Sequence, residues 1–204
     1  MNREVHSSIT LGPCILEGSN VRLEPLSIEH FDGLLLAARG YDWQWLSADL
    51  SEPSSLKKWL RHTLQLQAAG EEIPFTVFRK SDNSIIGSTR YMDIQPENRG
   101  VEIGGTWYSP IVWGTVVNPE CKFLLLRHAF EDWGAIRVQL KTDVKNIRSQ
   151  SAILKLGARF EGKLRNHRFR RDGSIRDSMM YSIIREEWPR VKDALTKRIQ
   201  SANP

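Results

Sequence analysis

Apolar and polar positions along the chain recur at two periods, and these mark out its elements. Val21-Arg22-Leu23-Glu24 alternates as a half-buried strand does, and Pro25 closes it. Ser27 offers an N-cap for a helix from Ile28, which Gly40 ends. A second helix is predicted after Pro53-Ser54-Ser55, where Leu56, Trp59, Leu60 and Leu64 keep helical spacing until Gly70. Phe75 to Phe78 and Ile85 to Gly87, joined by Ser81-Asp82-Asn83-Ser84, read as two strands of a hairpin. Val101 to Tyr108 is another strand, interrupted by Gly104-Gly105. Glycine inside a strand marks a bulge, or a place where a second backbone or a ligand comes close.

In the second half the element types alternate. Asn118 suits an N-cap and Pro119 the first position of a helix running to about Trp133. Ile136 to Lys141 alternates as a strand, and a helix from about Arg148 to Leu156 ends at Gly157. Two strands, Arg159–Phe169 and Arg176–Ile184, flank the turn Arg171-Asp172-Gly173-Ser174, and a last helix follows Glu186-Glu187-Trp188-Pro189. This order predicts an α/β (α+β) fold with a mixed sheet covered by helices on both faces. The 204 residues suit one domain: an N-terminal tail or edge strand over 1–16, then a single domain over 17–200.

Composition narrows the choice of partners. Lysine and arginine number 29 against 24 acidic residues, a net charge of +5, which suits an anionic small molecule, nucleic acid or a ribosomal surface. Two cysteines, Cys14 and Cys121, supply neither a disulfide framework nor a zinc site, and favour a reducing compartment. Met1 to His6 lacks the apolar core of a secretory signal, and no apolar run approaches the ~20 residues of a membrane span. The expectation is a cytoplasmic protein with no membrane partner.

Two junctions carry candidate chemistry. Trp113-Gly114-Thr115-Val116-Val117-Asn118 leads from the glycine-broken strand into a helix; its free N–H groups and dipole suit an anion, and the same residues equally suit a simple connection. Asn146 and Ser149 bracket the start of the next helix. They suit capping, and equally a ligand lying across the strand ends. Cys121 in the first turn of the helix that follows Asn118 reads as a small buried hydrophobe rather than a nucleophile. The five histidines have no metal-ligand spacing, so no metal is expected.

Taken in order, Glu102-Ile103-Gly104, Trp113-Gly114-Thr115 with Asn118 and Glu120, Lys122 to Glu131, Lys141-Thr142-Asp143, Asn146 to Ser149, Leu156-Gly157-Ala158, Glu161-Gly162 and Asp172-Gly173 with Arg176-Asp177-Ser178 form a pattern. In it the chain resembles the GCN5-related N-acetyltransferase (GNAT) family, in the branch named for ribosomal-protein-alanine N-acetyltransferases. The resemblance implies that two parallel strands, Val101–Tyr108 and Ile136–Thr142, splay apart and admit the pantetheine arm of acetyl-CoA. It assigns cofactor contacts to Thr106, Trp107 and Tyr108, to the loop residues Trp113, Gly114, Thr115, Val116, Val117 and Asn118, and to Asn146 and Ser149. The loop departs from the family pattern: only Gly114 remains, Trp113 stands where arginine is frequent, and Val116 where glycine is frequent.

The reaction implied is transfer of an acetyl group to a primary amine by direct attack. Two carboxylates compete as base, Glu102 and Glu161, with Ser149 as the acid for the departing thiolate. In the family the first two helices wall the acceptor pocket. The loop between them, Tyr41-Asp42-Trp43-Gln44-Trp45-Leu46, offers Tyr41 and Trp43 for acceptor contact, with Asp42 to attract the amine; one of Trp43 and Trp45 is expected to plug the core. His167 is the histidine to test for substrate contact. The acceptor is open between a protein N-terminus and a polyamine, antibiotic or amino acid, with ribosome association and a homodimer among the partners considered. Rival readings are a non-catalytic acyl-CoA sensor and nucleic-acid binding through Lys163, Arg165, His167, Arg168, Arg170, Arg171 and Arg176.

Overall fold

A parallel seam only three residue pairs long joins the two halves of the sheet, Gly100 to Glu102 lying beside Arg137 to Gln139. The computed structural model describes residues 12–202, and most of the proposed N-terminal tail lies outside them. Eight strands run in the order β1-β2-β3-β4-β5-β6-β8-β7. They are β1 (Leu16–Glu17), β2 (Val21–Pro25), β3 (Ile73–Arg79), β4 (Ser84–Gln95), β5 (Gly100–Tyr108), β6 (Arg137–Asp143), β7 (Arg159–Phe169) and β8 (Ile175–Ile184). Every neighbouring pair except β5–β6 is antiparallel.

Five helices cover the sheet: α1 (Phe31–Ala37), α2 (Pro53–Ala68), α3 (Val117–Arg127), α4 (Ile147–Leu154) and α5 (Trp188–Ser201). On one face α1 and α2 bury Leu34, Ala37, Leu56 and Leu60 against Leu26 and Trp107. On the other, α3 and α5 place Leu124, Leu125, Val191 and Leu195 in one core with Leu23, Val77, Val101, Val138 and Ile183. The expected mixed sheet with helices on both faces is what the chain builds.

Some boundaries differ from the pattern reading. The first helix opens as a 3-10 turn at Ile28–His30 before α1. β4 runs on to Gln95, well past Gly87. Helix α3 begins at Val117 rather than Pro119, because the Thr115 hydroxyl accepts from the Val117 amide at 3.3 Å while donating to the Val112 carbonyl at 2.7 Å. That hydroxyl does the work assigned to Asn118. At its far end α3 relaxes into a π turn over His128–Asp132.

The glycine pair makes a bulge. Ser88 lies opposite Trp107 and Arg90 opposite Gly104, so β5 carries one more residue than β4 across that interval. Gly105 takes up the excess at φ +57°, and a Cβ there would sit 2.5 Å from Arg90 Nε. The left-handed conformation costs a residue with a Cβ about 1–2 kcal/mol. G105A is therefore expected to lower stability by about that amount and to push Arg90 from its place. Chemical denaturation of wild type and variant measures the first, and a crystal structure of the variant the second.

Candidate active site

Beyond Glu102 and Gln139 the two central strands part. β5 continues to Tyr108 on β4, while β6 is paired along its whole length with β8, from Arg137–Ile184 to Asp143–Ser178. The edge of β5 that faces β6 is thus left without strand partners from Ile103 on. A continuous cavity of about 630 Å³ opens from this fork. It reaches the α3 loop and the start of α4 on one side, and α2 with the β7–β8 hairpin on the other.

Glu102 sits at the fork. Its side chain is buried beside Lys141, whose Nζ is 2.7 Å from Oε2. Lys141 shares this face because β6 alternates, with Val138 and Leu140 turned into the core. Burial pushes the Glu102 carboxyl above the usual glutamate range; Lys141 and Arg168 oppose the shift without cancelling it. A buried carboxylate with a raised pKa, open to a cavity, suits a proton acceptor.

Glu161 is elsewhere. It lies outside the cavity, gripped by both terminal nitrogens of Arg137, one at 2.7 Å, and by the Ser182 hydroxyl at 2.7 Å. Those hydrogen bonds hold its carboxyl down at about 2. The fold does not bring it to Ser149, and a carboxylate so committed is a poor base.

At the end near the starts of α3 and α4, Thr106, Trp107, Tyr108, Trp113, Gly114, Thr115, Asn118, Asn146 and Ser149 all line the cavity. Val116 and Val117 do not: Val116 is the residue before the helix, and Val117 is buried in the core. Valine at 116 therefore does not narrow the groove. Gly114 has φ +76°, and a Cβ there would meet nothing within 4 Å. Asn146 accepts from the Ser149 amide at 3.0 Å, capping α4 through its carbonyl oxygen. Trp113, 40% exposed, donates from its indole to the Tyr108 carbonyl at 3.0 Å, and the Arg148 guanidinium lies over its ring, 3.9 Å from the centroid. A cation thus stands at the mouth of the groove although the loop has lost its arginine.

Lys122, which sequence reasoning passed over, also faces the cavity. Its amine is buried, contacts the Thr106 hydroxyl at 2.5 Å and lies 3.4 Å from that of Thr89. Burial pushes its pKa down to about 8.

On the acceptor side the aromatic loop divides its duties. Trp43 is buried, donates to the Ala38 carbonyl at 3.2 Å, and packs between Tyr41, tilted against it, and Trp107, which it meets edge-on. It plugs the core and does not reach the cavity; Tyr41 and Trp45 do. Asp42 is spent holding Gln44, through its backbone amide at 3.3 Å and its side chain at 2.5 Å. His167 lines the cavity, its Nδ1 3.0 Å from the Ser178 hydroxyl. Arg90 does so too, paired with Glu72 at 2.5 Å over the Trp59 ring. No periodicity marked Arg90, since it lies in the part of β4 that the hydrophobic pattern missed.

Several residues of the basic cluster are partnered internally. Arg170 grips Asp143 at 2.7 Å, Arg171 reaches Asp49 at 3.3 Å, and Lys163 pairs with Asp177 at 3.4 Å. Cys121 is fully buried, and burial pushes its thiol up to about 12. Among the described residues no cluster of histidine, cysteine and carboxylates could hold a metal ion, and no helix is long and apolar enough to cross a membrane.

Comparison with known proteins fits this geometry. The model of the acetyltransferase (GNAT) domain matches residues 20–159. The chain is 25% identical over 174 residues, 81% of its length and 90% of the relative's, to YdaF of Bacillus subtilis (strain 168), a protein named for ribosomal N-acetyltransferase activity. A crystal structure titled as an acetyltransferase from T. thermophilus shares 36% identity at a TM-score of 0.80, over 92% of this chain and 98% of that one. A GCN5-related N-acetyltransferase from Brucella melitensis superposes at a TM-score of 0.86 with 28% identity, over 93% and 87% of the two chains. With a family match over most of its length and a fold forked at the same strands that the resemblance named, this chain belongs to the GNAT family and is an acyltransferase.

Proposed function

We propose that the protein transfers the acetyl group of acetyl-CoA to a primary amine by direct attack, with the N-terminal amine of a protein as acceptor. The observation that carries this reading is the buried Glu102 carboxylate at the fork, open to a cavity that also meets the start of α3. Similarity to YdaF favours a protein acceptor and, through it, a ribosomal one.

The free edge of β5 from Ile103 to Tyr108 offers backbone groups to the pantetheine amides and an N–H to the thioester oxygen. The loop from Trp113 to Asn118 with Arg148 faces the pyrophosphate, its charge met by backbone N–H groups and the stacked guanidinium. Glu102 takes the proton that the amine loses as nitrogen bonds to the acetyl carbon. The carbon–sulfur bond then breaks, and Ser149 at the cavity wall donates a proton to the thiolate. Lys141 opposes the rise that burial imposes on the Glu102 carboxyl and so favours its charged, proton-accepting form.

A thiol-release assay over peptides of varied first residue, polyamines and aminoglycosides tests the reading; acetyl-CoA binding without turnover on any amine would replace it with a sensor. E102Q is expected to lower kcat by about 100-fold or more. In wild type kcat/KM should fall as pH drops through the raised Glu102 pKa, and the variant should lose that acid limb. S149A should lower kcat more than it raises the acetyl-CoA KM. N146A should chiefly raise that KM, with a loss of about 1 kcal/mol in stability from the missing cap.

E161Q is expected to keep near-wild-type kinetics and to lose less than about 1 kcal/mol, since the pair with Arg137 is about one-third exposed. The Glu161 carboxyl is held at about 2 in the folded chain against 4.5 unfolded. The stability difference should therefore be full above about pH 4.5 and vanish as pH falls toward 2. Urea denaturation across that range measures it.

A further inference from the structure

The end of the cavity formed by the β7–β8 hairpin carries more positive charge than the reaction uses. Lys141, Arg168, Arg170 and Arg176 line it against two carboxylates, Glu102 and Asp143. Lys141 is taken by Glu102 at 2.7 Å. Asp143 is filled by Arg170, at 2.7 and 3.0 Å, and by the Lys145 amide at 2.9 Å. Arg176 stands 4.0 Å from Asp143, beyond hydrogen-bond reach, with its buried Nε unpartnered. Arg168 has no ion pair among the described residues, and it sits directly opposite Arg176 in the β7–β8 ladder. Like charges facing each other across a ladder destabilise a sheet. A buried guanidinium nitrogen without a partner adds a desolvation cost. His167 beside them brings no compensating negative charge, and burial together with Arg168, Lys141 and Arg176 favours its neutral form.

We propose that Arg168 and Arg176 form an anion subsite for a carboxylate that the acceptor carries close to its reacting amine. The inference rests on the acetyltransferase reading and names the acceptor's chemistry within it. Glu102, Arg168 and Arg176 line the same cavity, so the carboxylate and the reacting amine belong to one acceptor molecule. Such an acceptor is an α-amino acid, or a peptide with an acidic residue just after its first. A polyamine places its further cations where the cavity is already positive, and is disfavoured. The Glu72–Arg90 pair, which joins the α2–β3 connection to β4, is balanced and leaves this excess unchanged.

The test is thiol release at saturating acetyl-CoA with matched acceptors: serine against serinamide, Ser-Asp against Ser-Asn peptide amides, and spermidine. The carboxylate member of at least one pair should lead in kcat/KM by on the order of tenfold, the worth of one charge-assisted hydrogen bond. The leading pair tells an α-carboxylate from a side-chain one. R168Q should bring the ratio toward one, and the R168Q/R176Q double variant should do so fully; Arg168 is exposed, so the single variant reports even if the double fails to fold. Equal rates within both pairs, preference for spermidine, or an R168Q effect confined to the acetyl-CoA KM would overturn the subsite while leaving acetyl transfer in place. If no amine turns over, serine and the Ser-Asp peptide are titrated calorimetrically into the protein with coenzyme A. Heat that R168Q abolishes upholds the subsite and refutes the transfer reaction; its absence overturns both.

Discussion

A sheet that must part in its middle depends on how few hydrogen bonds hold the two halves together. Here the seam is three residue pairs, and β5 has already spent its other edge on β4, while β6 has spent its own on β8. The bulge at Gly104-Gly105 turns β5 away from β6 without loosening it from β4. Helices on both faces then make the fork a stable shape. α3 and α5 share one core across the seam, with Val101 on one half and Val138 on the other. The opening is thus a product of strand pairing, and the cavity with Glu102 beside it lies where pairing stops.

That position explains the unusual density of buried charge. Glu102, Lys122 and Arg90 are all less than one-tenth exposed, yet each faces the cavity. Inside a core such groups would each cost several kcal/mol unless paired. At the fork they have partners of graded strength: a full ion pair for Arg90, a lysine for Glu102, and only hydroxyls for Lys122. All three line an open cavity and not a sealed core.

The element order was legible in the sequence, because strand alternation and the glycine pair each leave a local trace; the fork between β5 and β6 was expected from the family resemblance and not from local pattern. Gly114 and Asn146, singled out at their junctions, line the cavity. What escaped depended on distant pairing. Glu161 looked as eligible as Glu102 until Arg137, across the sheet, claimed it. Trp43 and Trp45 are two residues apart and chemically alike, and only packing against Trp107 tells the plug from the wall. Arg90 and Lys122 carry no local signature, since a basic residue in a strand or helix is usually a solvated one.

The stack of Arg148 on Trp113 has a bearing on how such chains are recognised. Family patterns look for the phosphate-facing charge within the glycine loop itself. Here the cation at the mouth of the cavity, Arg148, comes from the helix across the opening and lies over an indole at the position where the family pattern has arginine. A loop that borrows its cation in this way is free to drift in composition. Among relatives, substitutions at 113 and 148 should accordingly be inherited together, and a pattern keyed to either position alone would pass over the chain.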